Sequence, residues 1–449
     1  MTRLLKLLPR FRQAHQAVEL LAQREKWSRT QIEDFQLHKL NGHWRHAIQH
    51  VPYYRQLQQQ LHLPEQFCSL VEYKQTVPLL AKSVVRDNPQ QFLSELAKPG
   101  RWERTSGSTG APTRIYHESS SHRAMQHAKY RLYQCWGIDI FDRSVYLWDR
   151  ADMVVSGWRS LVNRTRLNCV DTLRSRLRLS AFQLDQRSLT SHLRFIERFR
   201  PCFLYGFSNA VYRLAQAAVE AGFSCGSLKA IVMTAEPATL AMRMTVERAF
   251  GVPTVIEYGA TECELIAGSQ PDGTVRIRED LVHVETLGHV SGTYEFVITV
   301  LANQSFPLFR YQIEDLTDCA LSQSTHGFAV LPGGICGRRD DLLQTRSGGY
   351  IHPSNIDAFF EHVWDSRSIR RYRVHQHRCG MLDMQIEIDL LKGKALDLRR
   401  MEEALSHLVD GFPVRIRLTN LLPTDTKHRA ITSELTGSNL SVPTVSHPQ

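Results

Sequence analysis

A short loop in the first third of the chain has the composition of a phosphate-binding segment. Residues 104–116 read RTSGSTGAPTRIY, with small, hydroxyl-bearing or glycine residues at nearly every position of the first half. Such a loop lets backbone N–H groups and hydroxyls surround a polyphosphate, because no bulky side chain keeps the main chain away from the anion. No lysine follows the last glycine, so the loop differs from the common nucleotide-binding motif GxxxxGK[ST].

A second motif, EYGATE at residues 257–262, combines a flat aromatic ring, a hydroxyl and a carboxylate. The run at residues 230–234 predicts a buried strand that leads into Glu236 and Pro237. Residues 252–257 predict another strand, which leads into the second motif. Open α/β sheets bind ligands at the carboxyl ends of such strands, so we expect both segments to line a ligand site.

Further motifs follow in a fixed order, and together they identify a family. The chain resembles the adenylate-forming ligases, and among them the compact phenylacetate–CoA ligase branch, over roughly residues 40 to 432. The resemblance rests on HVPYYRQ (50–56), VPLLAKSVVRDN (77–88), TSGSTGAPT (105–113), MTAEP (233–237), EYGATE (257–262), RYQIEDLT (310–317), GRRDDLLQTRSGGYIHPSNID (337–357) and a lysine in LLPTDTKHRAI (421–431).

The resemblance implies how ATP would be bound. In such enzymes a carboxylate attacks the α-phosphate of ATP, and the protein neutralises charge and aligns the two anions. The second motif would place a ring on adenine, a hydroxyl on the α-phosphate and an oxygen ligand on Mg²⁺. The residues that match are Thr105, Ser106, Gly107, Ser108, Thr109 and Gly110 for the β- and γ-phosphates, Ala235, Glu236, Pro237, Tyr258 and Gly259 around adenine, Thr261 for the α-phosphate and Glu262 for the metal.

Four more residues acquire roles from the resemblance. Asp315 would bind the ribose hydroxyls, and Arg338 would bind ribose or phosphate oxygens. Asp340 would be the hinge about which a small domain rotates between the adenylation and thioester half-reactions. Lys427 would swing in from that domain and bridge the carboxylate and the phosphate oxygens during adenylation.

Two of the departures from the family pattern bear on catalysis. Glu314 stands where relatives carry glycine or arginine, and Thr426 stands where they normally carry glycine. An inward carboxylate beside the triphosphate would add repulsion, so we expect Glu314 to point outward. The acid itself should lie near Tyr205, Gly206 and Phe207 and the loop before Tyr258, where apolar side chains could form a pocket.

Composition restricts the remaining options. With 42% hydrophobic and 22% charged residues, the 449-residue chain can bury a real core, and no run of 18 apolar residues predicts a membrane span. The net charge of +10 favours anionic partners, but no nucleic-acid-binding motif accompanies it, so we expect no nucleic acid. Nine cysteines without a CxxC pair suggest reduced thiols and a cytoplasmic location.

The coarse pattern predicts an α/β fold with two main domains. A helix is expected at residues 208–221, with Ser208 as its N-cap and Gly222 after its end, and a strand at 294–301. Beyond residue 337 we expect a hairpin across 342–351, two strands at 384–390 and 414–422, and a helix at 397–409 between them. The predicted units are a basic helical extension (1–40), a large layered α/β adenylation domain with a β-rich part (41–336), a small mobile α+β domain (337–432) and a disordered tail (433–449).

The sequence assigns no metal-binding or catalytic role to two histidine clusters and one cysteine. His43, His46 and His50 share a helical face and could bind a metal, but a solvated face is the favoured interpretation. His375, His377 and Cys379 alternate on a predicted strand, and there too no metal is favoured, because no fourth ligand has suitable spacing. Cys263 has no histidine fixed near it in sequence and is left unassigned.

The sequence thus predicts an ATP- and Mg²⁺-dependent ligase that activates a small carboxylic acid and transfers it to a thiol such as coenzyme A. Transfer to an acyl carrier protein, an amine or a hydroxyl group is an alternative acceptor chemistry. A third hypothesis is a catalytically degenerate scaffold, favoured by Glu314 and Thr426. The intact Glu262, Asp315, Arg338 and Lys427 oppose it. The identity of the acid and the oligomeric state, a homodimer included, stay open.

Overall fold

The structure is a computed structural model that describes residues 9–105, 113–139, 142–148, 171, 175–181, 184–288, 293–324, 327–333, 335–338, 343–347, 350–351, 356, 369–388, 397–419 and 431–435. Among the described helices, none combines the length and the hydropathy that a bilayer-spanning segment needs. The helices are α1 (Pro9–Arg24), α2 (Arg29–His50), α3 (Pro52–Leu61), α4 (Leu70–Thr76), α5 (Lys82–Asp87), a 3-10 turn (Pro89–Phe92), α6 (Ser119–Gln134), α7 (Gln186–Phe199), α8 (Ser208–Ala221), α9 (Leu240–Phe250) and α10 (Leu398–Leu408). The strands are β1 (Gly100–Arg104), β2 (Arg114–Glu118), β3 (Ser144–Leu147), β4 (Arg176–Leu179), β5 (Phe203–Phe207), β6 (Ala230–Thr234), β7 (Thr254–Tyr258), β8 (Ala267–Ser269), β9 (Val275–Ile277), β10 (Val282–Gly288), β11 (Tyr294–Val300), β12 (Tyr311–Thr317), β13 (Val330–Leu331), β14 (Ile335–Arg338), β15 (Leu343–Gln344), β16 (Tyr350–Ile351), β17 (Ile369–Gln376), β18 (Leu382–Ile388), β19 (Val414–Leu418) and β20 (Ile431–Ser433).

An eight-stranded sheet forms the centre of the α/β part, in the order β13-β9-β8-β7-β6-β5-β3-β4. Strands β4, β3, β5, β6 and β7 are mutually parallel, so their carboxyl ends share one edge of the sheet. The strand predicted at residues 230–234 is confirmed as β6, which is buried along its whole length. The strand predicted at 252–257 is confirmed as β7, although it begins two residues later and ends at Tyr258.

The helix predicted at residues 208–221 is confirmed as α8, but its first turn differs from the prediction. Phe207 is the N-cap residue, and Ser208 is the first helical residue instead of the cap. Ser208 Oγ donates to the backbone carbonyl of Glu236 at 2.9 Å, and the Glu236 carboxylate accepts from the Asn209 N–H at 3.0 Å. A carboxylate from the neighbouring strand end therefore satisfies this helix N-terminus, which favours negative charge.

A four-stranded antiparallel sheet, β10-β11-β12-β14, forms the β-rich part. The strand predicted at residues 294–301 is confirmed as β11. In the pairing of β12 with β14, Asp315 lies opposite Arg338, so two predicted nucleotide-binding positions stand on adjacent strands. The domain boundary predicted between residues 336 and 337 falls inside β14.

The C-terminal elements have a hydrophobic core of their own, in which α10 packs on a mixed sheet ordered β19-β18-β17-β20. The predicted hairpin and the predicted helix are confirmed here. The two predicted strands are confirmed as β18 and β19, although β19 ends at Leu418, and residues 389–390 and 420–422 lie outside the described part of the chain. The three-residue β20 lies at the edge of the sheet and pairs in parallel with β17. Ser433 is therefore part of a strand, and the prediction that the disordered tail begins there is wrong, because Ser433 pairs with Gln376.

The N-terminal helices pack into the large core. Helix α2 starts with a capping box, because Ser28 Oγ accepts from the Gln31 N–H and Gln31 Oε1 accepts from the Ser28 N–H. Its middle buries Leu40 and Trp44 completely. The boundary predicted between residues 40 and 41 falls inside this helix, so the predicted extension and the large domain share one continuous element.

Ion pairs also tie the N-terminal helices to the middle of the chain. The side chain of Arg278 is 3% exposed, and it donates to Glu25 Oε1 at 2.6 Å and to Asp280 Oδ2 at 2.9 Å. Arg131 donates to the other Glu25 oxygen at 2.6 Å. Burial alone would lower the pKa of Arg278, but the two carboxylates raise it, so the guanidinium stays charged. Glu25 therefore balances two arginines that lie far away in sequence.

Candidate active site

The segments that follow β5, β6 and β7 lie side by side at the carboxyl edge of the central sheet. In the parallel register Phe207 is opposite Thr234, and Thr234 is opposite Glu257. Ala235 then adopts a φ of 66°, which non-glycine residues rarely do, and it turns the chain directly after β6. The predicted adenine segment at residues 235–237 thus begins at the same edge as Tyr258.

Tyr258 and Asp315, the residues predicted to meet adenine and ribose, are in direct contact. The Tyr258 hydroxyl donates to Asp315 Oδ2 at 2.8 Å, although the two residues are 57 positions apart. Both side chains are almost fully buried, and the Tyr258 ring also packs on Phe296 at 5.7 Å. Gly259 is required beside them, because a Cβ there would lie 2.0 Å from the Glu264 carbonyl oxygen. The structure therefore brings the predicted base-binding and ribose-binding groups together.

Glu262, the predicted metal ligand, is buried and oriented by one phenol. It is 3% exposed, and the Tyr311 hydroxyl donates to its Oε1 at 2.9 Å. Burial raises the pKa of Tyr311 well above its usual value, so the phenol stays protonated and keeps donating. Tyr311 was missed by the sequence analysis, although its position four residues before Asp315 on one strand could have indicated it. This hydrogen bond therefore holds the carboxylate of Glu262 in place.

We expect Tyr311→Phe to weaken the response to Mg²⁺ without abolishing activity. Loss of the hydroxyl removes one hydrogen bond to a charged group, which is worth about 1.5–3 kcal/mol, so Glu262 would lose its fixed orientation. The Mg²⁺ concentration for half-maximal ATP–pyrophosphate exchange should rise by roughly tenfold, as for other groups that orient metal ligands. Tyr116→Phe is a matched control, because that phenol donates to the Lys98 carbonyl at an exposed position. An equal rise in the control would contradict the role of Tyr311.

The hairpin β1–β2 presents the predicted phosphate loop. Thr105 closes its base, because the Thr105 N–H donates to the Thr113 carbonyl and Thr105 Oγ1 accepts from the Thr113 N–H, both at 2.9 Å. On β2, the buried His117 has its Nε2 2.7 Å from the Thr261 carbonyl oxygen. Since a carbonyl only accepts, Nε2 carries the proton. His117, also missed from sequence, connects the phosphate hairpin to the residue predicted to meet the α-phosphate.

Several predicted site residues lie outside the described part of the chain. The structure describes Thr105 and only the backbone of Arg338. The other members of the phosphate loop, the predicted hinge and the predicted catalytic lysine fall in the undescribed stretches. These are Ser106, Gly107, Ser108, Thr109, Gly110, Asp340 and Lys427. Their roles stay predictions.

Glu314 is not turned fully outward, which corrects the expectation from sequence. Its side chain is 18% exposed and its carboxylate lies 3.6 Å from Lys82 Nζ on α5. Glu314 adopts a φ of 68° where the register of β11 and β12 shifts, so the strand is irregular at this point. A lysine therefore offsets the extra negative charge beside Asp315, and the repulsion that the sequence suggested is reduced.

The predicted pocket residues lie among aromatic rings. Phe207 stacks on Trp148 with ring centroids 4.1 Å apart, and Tyr205 packs against Trp148 at 5.6 Å and Tyr146 at 4.6 Å. Gly206 between them permits a close approach, because a Cβ there would lie 2.8 Å from Leu147 Cβ. This wall of rings is consistent with an apolar acid pocket next to β5.

A buried polar group lies behind these rings. The carboxylate of Glu257 is 1% exposed, and it accepts from Lys129 Nζ at 3.0 Å, from the Tyr205 hydroxyl at 3.1 Å and from the Tyr133 hydroxyl. Burial disfavours the charge of Lys129, but the Glu257 carboxylate outweighs this and raises the pKa of the lysine above its usual value. The pair fixes the residue directly before Tyr258 and so supports the second motif.

We expect Lys129→Met to destabilise the protein by ~3–5 kcal/mol, because it leaves the Glu257 carboxylate buried without its cation. Urea unfolding followed by tryptophan fluorescence would measure the change. Arg55→Met is the control, because its pair with Glu95 is exposed and should leave the midpoint unchanged. The double variant Lys129→Met/Glu257→Gln should recover part of the loss. An unchanged midpoint in Lys129→Met would contradict the stabilising role of this ion pair.

Two groups noted in the sequence are partly or wholly buried. Cys263 is completely buried, and burial raises the pKa of its thiol well above the usual value, so it is no nucleophile. The solvated face predicted for the first histidine cluster is wrong at His43, which is buried against the core. Burial lowers the pKa of His43 to about 4. His46 lies 2.9 Å from Ser94 Oγ, so this face is partly used for packing.

Comparison with known proteins finds similarity over most of the chain. A scan against protein-family models gives no match. The chain is 24% identical over 398 residues to the phenylacetate–coenzyme A ligase of Pseudomonas putida, which covers 85% of this chain and 86% of the relative. It is 26% identical over 353 residues to the phenylacetate–coenzyme A ligase of Aromatoleum evansii, covering 74% and 76%. The fold resembles the crystal structure of 2-hydroxyisobutyryl-CoA ligase in complex with 2-HIB-AMP, with a TM-score of 0.72, 19% identity and 92% of both chains covered.

Proposed function

Because the chain is a member of the adenylate-forming superfamily, in its phenylacetate–CoA ligase-like branch, we propose that it is an ATP-dependent, AMP-forming acid–thiol ligase. A carboxylate oxygen of the acid attacks the α-phosphate of ATP, the bond to the β-phosphate breaks, and pyrophosphate leaves. The thiol of coenzyme A then attacks the acyl carbon of the acyl-AMP, loses its proton and displaces AMP. Both steps follow from the relatives, which are acid–CoA ligases.

The observation that supports this function best is the contact between Tyr258 and Asp315. A buried ring and a buried carboxylate suit a purine and a vicinal diol, and the two groups belong to different sheets that meet here. Thr261, held by His117, follows three residues after the ring and would contact the α-phosphate. Adenine, ribose and α-phosphate would thus be bound in the order in which they occur in ATP.

Glu262 is the group that fits Mg²⁺. Its donor is a hard carboxylate oxygen, and it is buried and oriented by Tyr311, so little ordering is left for the moment of binding. When bound, Mg²⁺ would neutralise charge on the phosphate oxygens. Lys427, from the small domain, would supply the second positive charge, and rotation about Asp340 would exchange the two half-reactions. The phosphate loop at residues 105–110 would bind the β- and γ-phosphates, and Arg338 the ribose or phosphate oxygens.

The acid would enter beside the aromatic wall of Tyr205, Phe207 and Trp148, with Gly206 allowing the strands to approach. An apolar wall of this kind suits an acid with a hydrophobic or aromatic body, and the buried Glu257 group lies behind it. Coenzyme A is the proposed acceptor, and an acyl carrier protein is the alternative. A homodimer and a cytoplasmic location also stay predictions.

Carboxylate-dependent ATP–pyrophosphate exchange across aryl, fatty, hydroxy and amino acids tests the proposal. Exchange with one class of acid, followed by stoichiometric consumption of coenzyme A with that acid, would support the ligase function. Exchange without consumption of coenzyme A would indicate that the acceptor is a carrier protein, an amine or a hydroxyl group. Intact ATP binding with no exchange across the whole panel would contradict the function.

A further inference from the structure

The edge of the C-terminal sheet brings together three side chains that can ligate a metal. His375 is on β17, His377 follows that strand, and Glu434 follows β20. One ligand atom of each lies within 4.8 Å of the others. The sequence groups the two histidines with Cys379 and favours no metal. In the structure Cys379 is exposed, and Glu434 is the third member of the cluster.

The hydrogen bonds of His375 fix which nitrogen carries its proton. Thr432 Oγ1 lies 3.3 Å from the Val374 carbonyl and donates to it, because a carbonyl only accepts. The same hydroxyl oxygen, 2.8 Å from His375 Nδ1, is then left to accept from that nitrogen. In the neutral ring the lone pair is therefore on Nε2, which faces Glu434 Oε1 at 3.3 Å. With the ring neutral, His375 Nε2 and Glu434 Oε1 are both hydrogen-bond acceptors, so a cation between them would stabilise this arrangement.

Hydrogen bonds also fix the orientation of His377 and of Glu434. His377 Nε2 lies 3.0 Å from Asp383 Oδ2, and since a carboxylate only accepts, Nε2 donates and the lone pair of the neutral ring is on Nδ1. Glu434 Oε2 accepts from the Arg378 N–H at 3.1 Å, which leaves Oε1 for the cluster. The Arg378 guanidinium is 89% exposed and 4.0 Å from Oε2, so it does not occupy this space.

We propose that His375, His377 and Glu434 bind a divalent transition-metal ion, with Zn²⁺ as the first candidate. Two imidazoles and one carboxylate form a ligand set that Zn²⁺ accepts, with a fourth position left for water. Bonds of about 2.1 Å would place the ligand atoms roughly 3.4 Å apart in a tetrahedral site, so they must close from the present arrangement. Rotation of partly exposed side chains can supply this movement, because His375 and Glu434 are 39% and 42% exposed.

The ion would strengthen the attachment of β20, the last described strand, to the rest of the sheet. β20 has three residues and pairs with β17 alone, so little backbone hydrogen bonding holds it. A metal bridge from Glu434 to the two histidines would fasten its carboxyl end. Lys427 precedes Ile431, the first residue of β20, by four positions, so the same bridge would anchor the segment that carries the proposed catalytic lysine. This inference stands on its own, because the cluster and its test do not require the proposed ligase activity.

The test is a Zn²⁺ titration of the chelator-treated full-length protein against a chromophoric competitor, together with thermal unfolding. We expect one site whose occupation raises the melting temperature, and X-ray absorption should show nitrogen and oxygen ligands. Glu434→Gln and His375→Gln, both at partly exposed positions, should each lower the affinity at least tenfold. Asp383→Asn should lower it by about 10–100-fold, because Asp383 only orients His377. Cys379→Ser is the matched control and should bind Zn²⁺ as the wild type does.

Three outcomes would overturn the proposal. Wild-type affinity in Glu434→Gln and His375→Gln would place any bound Zn²⁺ elsewhere. Loss of binding in Cys379→Ser, or sulfur in the absorption spectrum, would assign the ion to thiolates. No Zn²⁺ binding, with a melting temperature that depends on pH through His375 and Glu434 only, would show that a proton is the cation between them.

Discussion

Replacing Glu262 with glutamine is expected to lower acid-dependent ATP–pyrophosphate exchange by ~10²–10³-fold, the size of effect seen when one preorganised charge-stabilising group is removed from an active site. Glutamine keeps the volume and can still accept from Tyr311, so the fold should be retained while the negative charge is lost. The apparent affinity for Mg²⁺ should fall together with the rate. Exchange measured over a range of Mg²⁺ concentrations, at saturating ATP and acid, would separate the two effects.

The matched control is Glu264→Gln, which removes a carboxylate two residues away. Glu264 is bound to His122 at 2.5 Å and to Gln126 at 3.0 Å, away from Tyr311, so its loss should leave most of the exchange activity. If Glu264→Gln abolished exchange and Glu262→Gln did not, the metal would have been assigned to the wrong carboxylate of the motif.

Lys427→Ala is expected to lower the adenylation half-reaction by ~10²–10³-fold, because it removes a positive charge where negative charge develops on the phosphate. Thioester formation from chemically prepared acyl-AMP should be largely kept, since the small domain would present another face in that step. ATP–pyrophosphate exchange and acyl-AMP consumption in the presence of coenzyme A would measure the two half-reactions separately.

Arg415→Ala is the control for Lys427→Ala, because Arg415 is an exposed cation on β19 of the same domain. It should change neither half-reaction. An equal fall of both half-reactions in Lys427→Ala would contradict the proposed role and indicate a disturbed small domain. A fully active Lys427→Ala would indicate that another lysine of the chain supplies the positive charge.

Local patterns in the sequence predicted the elements well where one periodicity dominates. The buried run of β6, the amphipathic α8 and the alternating strands around α10 each signal their type within a few residues. The cap of α8 could not be predicted in this way. Its N-terminus is satisfied by Glu236, which is 27 positions from Asn209, and a local reading assigns that task to the nearest hydroxyl, Ser208.

In the candidate site, too, local motifs predicted some residues, and partners that are distant in sequence were missed. The ordered motifs identified Tyr258, Glu262 and Asp315, because each carries a chemical type that the reaction requires. Their supporting partners have no local signature: Tyr311 reaches Glu262 across 49 positions, and His117 reaches Thr261 across 144. Glu434 joined His375 from 59 positions away, which is why a search for ligands near the histidines selected Cys379 instead.

The pairing of Glu25 with Arg278 has a consequence for how the chain folds during synthesis. The two residues are 253 positions apart, so at 5–20 residues per second the turn after α1 that carries Glu25 emerges from the ribosome about 13–50 s before its partner. Over this interval Leu21 on α1 and Trp44 on α2 lack the later residues of the core to which they belong, such as Phe309, which contacts the Trp44 ring. The early chain is therefore the part that we expect chaperones to protect until Arg278 and the later core residues have emerged.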